Sequence, residues 1–168
     1  SVHVRRLVSE GTRPRLPWAP RLPAFVADPR PCLPLLHALV DDPEEYVRRS
    51  VANHVNDISK DHPGLAVETC RTWLAADKSR RRLVAHGLRT LVKQGDSRAL
   101  DVLGAADAKG LDASGSVSPK RARIGGAVVV EAAVTNHGRA RTVVLDVRVH
   151  YRKASGGTGP KTFKLAEF

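Results

Sequence analysis

Apolar residues recur every three to four positions through roughly the first hundred residues and every second position through the last fifty. Residues 3–10 (HVRRLVSE) read as the last turns of a helix closed by Gly11. From 12 to 31, Pro14, Pro17, Pro20, Pro23, Pro29 and Pro31 exclude a regular helix. A loop of that length is usually functional or a linker. Residues 33–40 suit a short helix. Asp41-Asp42-Pro43 then reads as an N-cap and first-turn proline, opening a helix from Pro43 to about Lys60. Along it Val47, Val51, Val55 and Ile58 make one apolar stripe. His62-Pro63-Gly64 ends that helix. Amphipathic helices follow at about 64–76, burying Leu65, Cys70, Trp73 and Leu74, and at about 78–94, burying Val84, Leu88, Leu91 and Val92 up to Gly95. A last short helix is predicted near 97–104. Short helices with turns every 15–20 residues have the pattern of a stacked helical-repeat array.

At about residue 105 the pattern changes. Residues 105–118 are small and polar, with the composition of a linker. Ala127–Thr135 and Arg141–Tyr151 are then Val-rich with period two; Val143, Leu145, Val147 and Val149 share one face and Asp146, Arg148 and His150 the other. Gly156–Pro160 predicts a turn before a strand at Thr162–Leu165. The expected organisation is multidomain and mainly α. Helical repeats fill residues 1–104, a linker 105–116, and part of an antiparallel β-sandwich 117–168. Because the chain opens inside a helix and ends on about half a sandwich, it is expected to be a fragment, with an exposed sheet edge.

Charge adds a partner to this picture. The 168 residues hold 28 Lys and Arg against 17 Asp and Glu, a net charge of +11. Such a surplus points first to a polyanion. No apolar run approaches the ~20 residues of a membrane helix, and nothing reads as a secretory signal. Cys32 and Cys70 are too few for a disulfide framework or a Cys-rich metal site, so a reducing, intracellular setting is expected.

Two polar stripes stand out. On the 43–60 helix, Arg49, Asn53, Asn56, Asp57 and Lys60 share a face. Asn and Asp are poor helix formers, so three of them mid-helix mean either side-chain function or a tolerated soluble face. On the 78–94 helix, Lys78, Arg82, His86, Arg89 and Lys93 form a cationic stripe with no acid in it. Like charges at this spacing weaken an isolated helix by a few tenths of a kcal/mol per pair, and a phosphate backbone along the face would reverse that sign. Glu10 is the only acid in the first 27 residues, and by itself reads as an ion-pair partner of Arg5 or Arg13. There is no phosphate-binding Gly loop and no metal-ligand spacing. Arg121, Arg123, Arg139, Arg141 and Lys153 fall at strand ends or turns, where they would either grip a DNA backbone or merely solubilise.

The run RRLVSEGTRPRLPW (Arg5–Trp18), the run YVRRSVANHVNDISKDHP (Tyr46–Pro63) and the segment HGLRTLVKQGD (His86–Asp96) resemble the AlkC branch of the DNA alkylation repair proteins. The resemblance runs through nearly the whole chain. It implies a HEAT-like-repeat DNA glycosylase that excises cationic N3-alkylated bases such as 3-methyladenine, with an appended Ig-like domain. The acid of the SEG motif is Glu10 and that of NDISKD is Asp57, which the resemblance makes the catalytic carboxylates. The Pro-rich segment becomes a strut placing Trp18 beside the lesion, with Arg6, Arg13 and Asn53 nearby. Lys60, Lys78, Arg82, His86, Arg89, Lys93, Arg139 and Arg141 would contact the DNA backbone. Positions 82 and 85 depart from the family pattern, which tends to Trp and Arg where this chain has Arg82 and Ala85. Further N-terminal repeats of the family, carrying another acidic site residue, do not occur in this sequence. Alkylated double-stranded DNA is then the expected partner of a monomeric, cytoplasmic, nucleoid-associated bacterial enzyme needing no metal or other cofactor. A non-catalytic nucleic-acid-binding or protein-interaction scaffold stays open beside it.

Overall fold

The computed structural model describes residues 1–105, 109–141 and 143–167. Among the described residues seven α-helices come first: α1 Val2–Gly11, α2 Pro23–Ala27, α3 Leu33–Leu39, α4 Glu45–Asp61, α5 Pro63–Ala76, α6 Arg81–Gln94 and α7 Ser97–Val102. Four strands follow: β1 Leu111–Ser118, β2 Val129–Asn136, β3 Val144–Arg152 and β4 Thr158–Glu167.

The helices form two layers. α1, α4 and α6 lie side by side with α4 in the middle; α5 packs behind α4 and α6, and α3 behind α1 and α4. The core between the layers contains Leu36, Val47, Val51, Val55, Ile58, Cys70, Trp73, Val84 and Leu88, so the predicted apolar stripes are the ones that meet. Leu65 and Val92 are only partly buried at its rim. Gly95 closes α6 in the left-handed conformation, φ 78°, as a helix-ending glycine does. Asp96 then caps α7 by accepting the N–H groups of Arg98 and Ala99.

Three local expectations change. The Pro-rich segment does hold a helix, α2, because Pro23 occupies its first turn, where a missing N–H costs nothing. α4 starts at Glu45 rather than Pro43. The Asp42 carboxylate accepts the Glu44 N–H (3.0 Å) but is chiefly engaged by Arg5, at 2.5 and 3.1 Å, so a tertiary ion pair displaces the expected cap. Lys78 lies on a 3-10 turn, Lys78–Arg80, preceding α6, and so is not on the helix that carries the rest of its stripe.

The strands pair as two antiparallel hairpins, β1 with β2 and β3 with β4. Val117 faces Val130 in the first, and Val147 faces Phe163 in the second. Residues 111–116 are strand where linker was expected. LDASGSVS lacks apolar alternation, and its backbone is held by pairing with β2 instead. Of the expected linker, residues 106–108 lie outside the described residues. Along β3 the alternation holds, with Leu145 and Val147 half-buried and Asp146 and Arg148 exposed. No described residue after Val102 is buried.

Candidate active site

Helix α4 carries three faces. The apolar one enters the core. A second, Ser50, His54, Asp57 and Asp61, spaced i, i+4, i+7 and i+11, lies against α1 and the segment after it. The third is the predicted stripe around Arg49 and Asn53, of which Arg49 and Lys60 are exposed and Asn53 half-buried. Asp57 and Asn56 are not part of a solvent face: both are buried, at 1% and 3% exposure. Asn56 ties α4 to α6, its Oδ1 accepting the Thr90 hydroxyl at 2.8 Å and the Thr90 N–H at 3.2 Å.

The two motif carboxylates meet on one guanidinium. Arg13 donates from Nε to Asp57 Oδ2 at 2.7 Å and from Nη1 to Glu10 Oε1. Burial by itself would lower the Arg13 pKa, but the hydrogen bonds and charges of Asp57 and Glu10 outweigh it and hold the pKa above its ordinary value. The second Asp57 oxygen accepts Lys60 Nζ at 2.8 Å. Glu10 Oε2 accepts Arg6 at 2.5 Å and the Ser50 hydroxyl at 2.8 Å. The Arg6 guanidinium also lies 4.7 Å from the centre of the Tyr46 ring. The Asp57 side chain is 2% exposed and Arg13 8%, whereas Glu10 is 25% and Lys60 38% exposed. Solvent therefore reaches this cluster through Glu10 and Lys60. Arg5 pairs with Asp42, and the partners of Glu10 are Arg6 and Arg13.

Across α4, on the α6 side, Asn53 Oδ1 accepts Arg89 at 3.1 Å and faces His86 Nε2 at 2.9 Å. Burial lowers the pKa of both His86 and Arg89; for His86 the cations Arg89, Arg49 and Arg82 add to it. A groove of about 800 Å³ opens beyond, lined by Glu45, Arg48, Arg49, Arg80, Arg82 and His86 among others. Glu10 and Asp57 do not line it; Asn53, one turn before Asp57 on α4, reaches its edge only through His86.

The remaining predicted positions are scattered. Trp18 is 98% exposed on the segment between α1 and α2. Lys78, Arg82 and Lys93 are exposed, although Arg82 leans to Glu45 at 3.4 Å. His86 and Arg89 are drawn down against Asn53, so the predicted stripe divides into exposed and half-buried cations. Arg139 is exposed at the β2–β3 connection, and the Arg141 guanidinium lies close to Gly110 and Gly138. The sequence reading passed over His54 and the Arg15–Asp61 pair, at 2.5 and 2.7 Å. The spacing 50, 54, 57, 61 was the signal that could have found them.

Layered short helices that bring two carboxylates onto a shared guanidinium, followed by paired antiparallel strands, match an AlkC-like architecture with an Ig-like region. Residues 112–168 match the family described as "Uncharacterised protein YhaZ, C-terminal Ig-like domain". Over 166 residues the chain is 39% identical to the protein described as "Uncharacterized protein YhaZ" of Bacillus subtilis (strain 168), covering 98% of this chain and 46% of that one. It is also similar to the Pseudomonas fluorescens alkylpurine DNA glycosylase AlkC bound to DNA containing an abasic site analog. That match has a TM-score of 0.90 at 39% identity, over 100% of this chain and 47% of the other. The resemblance read from the SEG and NDISKD runs thus extends over the whole chain, which spans about half the length of the proteins it matches.

Proposed function

We propose that the full-length protein is a monofunctional DNA glycosylase that hydrolyses the N-glycosidic bond of cationic N3-alkylated bases such as 3-methyladenine in double-stranded DNA. The observation that carries this reading is the convergence of Glu10 and Asp57, from two separate motifs, on Arg13. Similarity to a DNA-bound alkylpurine glycosylase supports the choice of substrate class.

A cationic alkylated purine is already a good leaving group and needs no acid to protonate it. The charge to be stabilised is the one developing on the sugar, and a fixed carboxylate in a largely dry site does this without reorganisation at the moment of reaction. Asp57 is fixed, since Arg13 holds one oxygen and Lys60 the other. Lys60 is the accessible partner, and a DNA phosphate would draw its ammonium off, freeing that Asp57 oxygen for the developing sugar cation. Glu10, more open to water, orients or deprotonates the attacking water. No lysine nucleophile is required, so the strand stays intact after base loss. Exposed Arg82 and Lys93 and half-buried His86 and Arg89 serve the phosphate backbone, Lys78 and Arg139 extend that surface, and Trp18 reaches toward the lesion.

The test is release of free 3-methyladenine from methylated DNA by the full-length protein. Asp57→Asn is expected to keep DNA binding and lower excision by orders of magnitude. Excision within a few-fold of wild type removes Asp57 from the mechanism. DNA binding without any base release by the wild type transfers the protein to the scaffold reading.

A further inference from the structure

Helix α1 ends at Gly11, and the carbonyls of its last turn lack intrahelical donors. The Arg13 N–H does not reach back to Ser9; it bonds the Glu10 carbonyl at 3.2 Å. The Ser9 carbonyl is instead met by His54 Nδ1, from α4, at 2.9 Å. Both residues are completely buried. A carbonyl only accepts, so Nδ1 carries the proton. His54 Nε2 is buried and has no hydrogen-bond partner among the described residues, which suits a lone pair better than an N–H or an imidazolium.

We infer that His54 is a positioning residue for Glu10: as a neutral Nδ1–H imidazole it latches the last turn of α1 to α4 and so holds Glu10 in place over Ser50 and Arg13. The inference rests on the glycosylase reading for its catalytic consequence, while the latch itself stands on geometry alone. His54 lies one turn from both Ser50 and Asp57 on α4, and its hydrogen bond ends on the residue immediately before Glu10. Four anchors therefore hold the Glu10 region: His54 through the backbone, Ser50 and Arg6 through one carboxylate oxygen, and Arg13 through the other while it also holds Asp57. The charged groups around the ring are Glu10 and Arg13 from the α1 side and Asp57 from its own helix. Burial outweighs the pull of the two carboxylates and holds the His54 pKa down at about 4, consistent with a ring that stays neutral while the enzyme works. Misplacement of a catalytic group by about 1 Å costs on the order of 10²-fold in rate, so a frayed last turn of α1 is felt at Glu10 without any change in the DNA-contacting surface.

The experiment uses the full-length protein and compares His54→Leu, which fills the space without a donor, with His54→Asn, whose amide N–H stands near the position of Nδ1. Excision is normalised to folded protein by thermal melting. His54→Leu is expected to lose about 10- to 100-fold in kcat with KM and DNA affinity within about two-fold, and His54→Asn to recover most of that loss. Equal rates for the two variants overturn the inference, because a ring that merely fills space is not rescued by a donor. Should His54→Leu not fold, His54→Asn close to wild type supports the latch, and His54→Asn as impaired as Glu10→Gln overturns it. Independently of activity, long-range 1H–15N spectra of the wild type at neutral pH are expected to show the Nδ1–H tautomer; an Nε2–H or doubly protonated ring overturns the latch. Wild-type protein that releases no base defeats the glycosylase reading, while the tautomer measurement still decides the latch.

Discussion

Helix α4 meets the helices on either side of it, α1 and α6, through different chemistry. Toward α1 and the segment after it the contact is charged: Arg5 on Asp42, Arg13 on Asp57 and Glu10, Arg15 on Asp61, and buried His54 on the Ser9 carbonyl. Toward α6 it is close-packed and less charged, with one cross-helix ion pair, exposed Arg82 with Glu45. Gly87 lies so near that a Cβ built on it would stand 3.3 Å from Val55 Cγ1, and the polar ties are the amides of Asn53 and Asn56. A close-packed joint with few charges responds chiefly to volume and less to pH. A joint built from ion pairs over a buried imidazole responds to both protons and salt, and it is the one that carries the candidate catalytic carboxylates. In the proposed glycosylase the close-packed joint supports and the charged joint carries the chemistry.

The largest break in this comparison is expected from Arg13→Ala. It strands Asp57, 2% exposed, with Lys60 as its remaining cation. Removing one partner of a buried pair costs about 3–5 kcal/mol, measurable by urea unfolding. A loss below about 1 kcal/mol means that α1 is not held by this bridge.

Acid should open the same joint in two stages. His54 has a pKa depressed from 6.5 to about 4 by burial, so the folded state prefers the neutral ring. Its contribution is complete above pH about 6.5 and is lost as pH falls toward 4, roughly 3 kcal/mol at about 1.4 kcal/mol for each tenfold change in proton affinity. The Asp42 and Asp61 pKa values are lowered, chiefly by the Arg5 and Arg15 hydrogen bonds, so their contribution persists until pH falls below the ordinary carboxylate range. Unfolding free energy against pH should therefore fall first between 6.5 and 4, and His54→Asn should remove the larger part of that first stage, leaving the smaller share of half-buried His86, whose pKa is also lowered by burial. A flat profile in this window contradicts a buried neutral His54.

On the close-packed side, Gly87→Val is expected to destabilise by about 1–3 kcal/mol through overpacking against Val55, equally at pH 5 and pH 8. A pH-dependent loss would show that the two joints are not separate. The smallest effect on stability should come from Arg82→Gln with Lys93→Gln, both exposed, within about 0.5 kcal/mol. Their readout is DNA affinity, with log K against log salt flattening by about one unit for each lost phosphate contact. An unchanged slope assigns the stripe to solvent.

The β region offers no joint of either kind. Its hairpins hold their registers by backbone pairing, and no described residue there is buried. It was also the part whose start was hardest to read, since β1 carries Ser, Gly and Asp where a strand signal needs apolar alternation.

Periodicity by itself determined the helices other than α2, the core stripes on α4, α5 and α6, the change to strands and the glycine stop at Gly95, because a short-range pattern specifies which face must leave water. Motif resemblance singled out Glu10 and Asp57. What only the tertiary structure decided is where the polar side chains of α4 go. Ser50, His54 and Asp57 alternate with Asn53 and Lys60 along the helix, and a helical wheel says that the two groups diverge, not which one will be covered. That depends on a helix more than thirty residues earlier in the chain, which supplies Arg5 and a bare carbonyl at Ser9, and on the segment just after it, which supplies Arg13. Long-range ion pairs leave no period in a sequence, so Asp42 reads as a helix cap and Asp57 as a surface acid until α1 is laid against them.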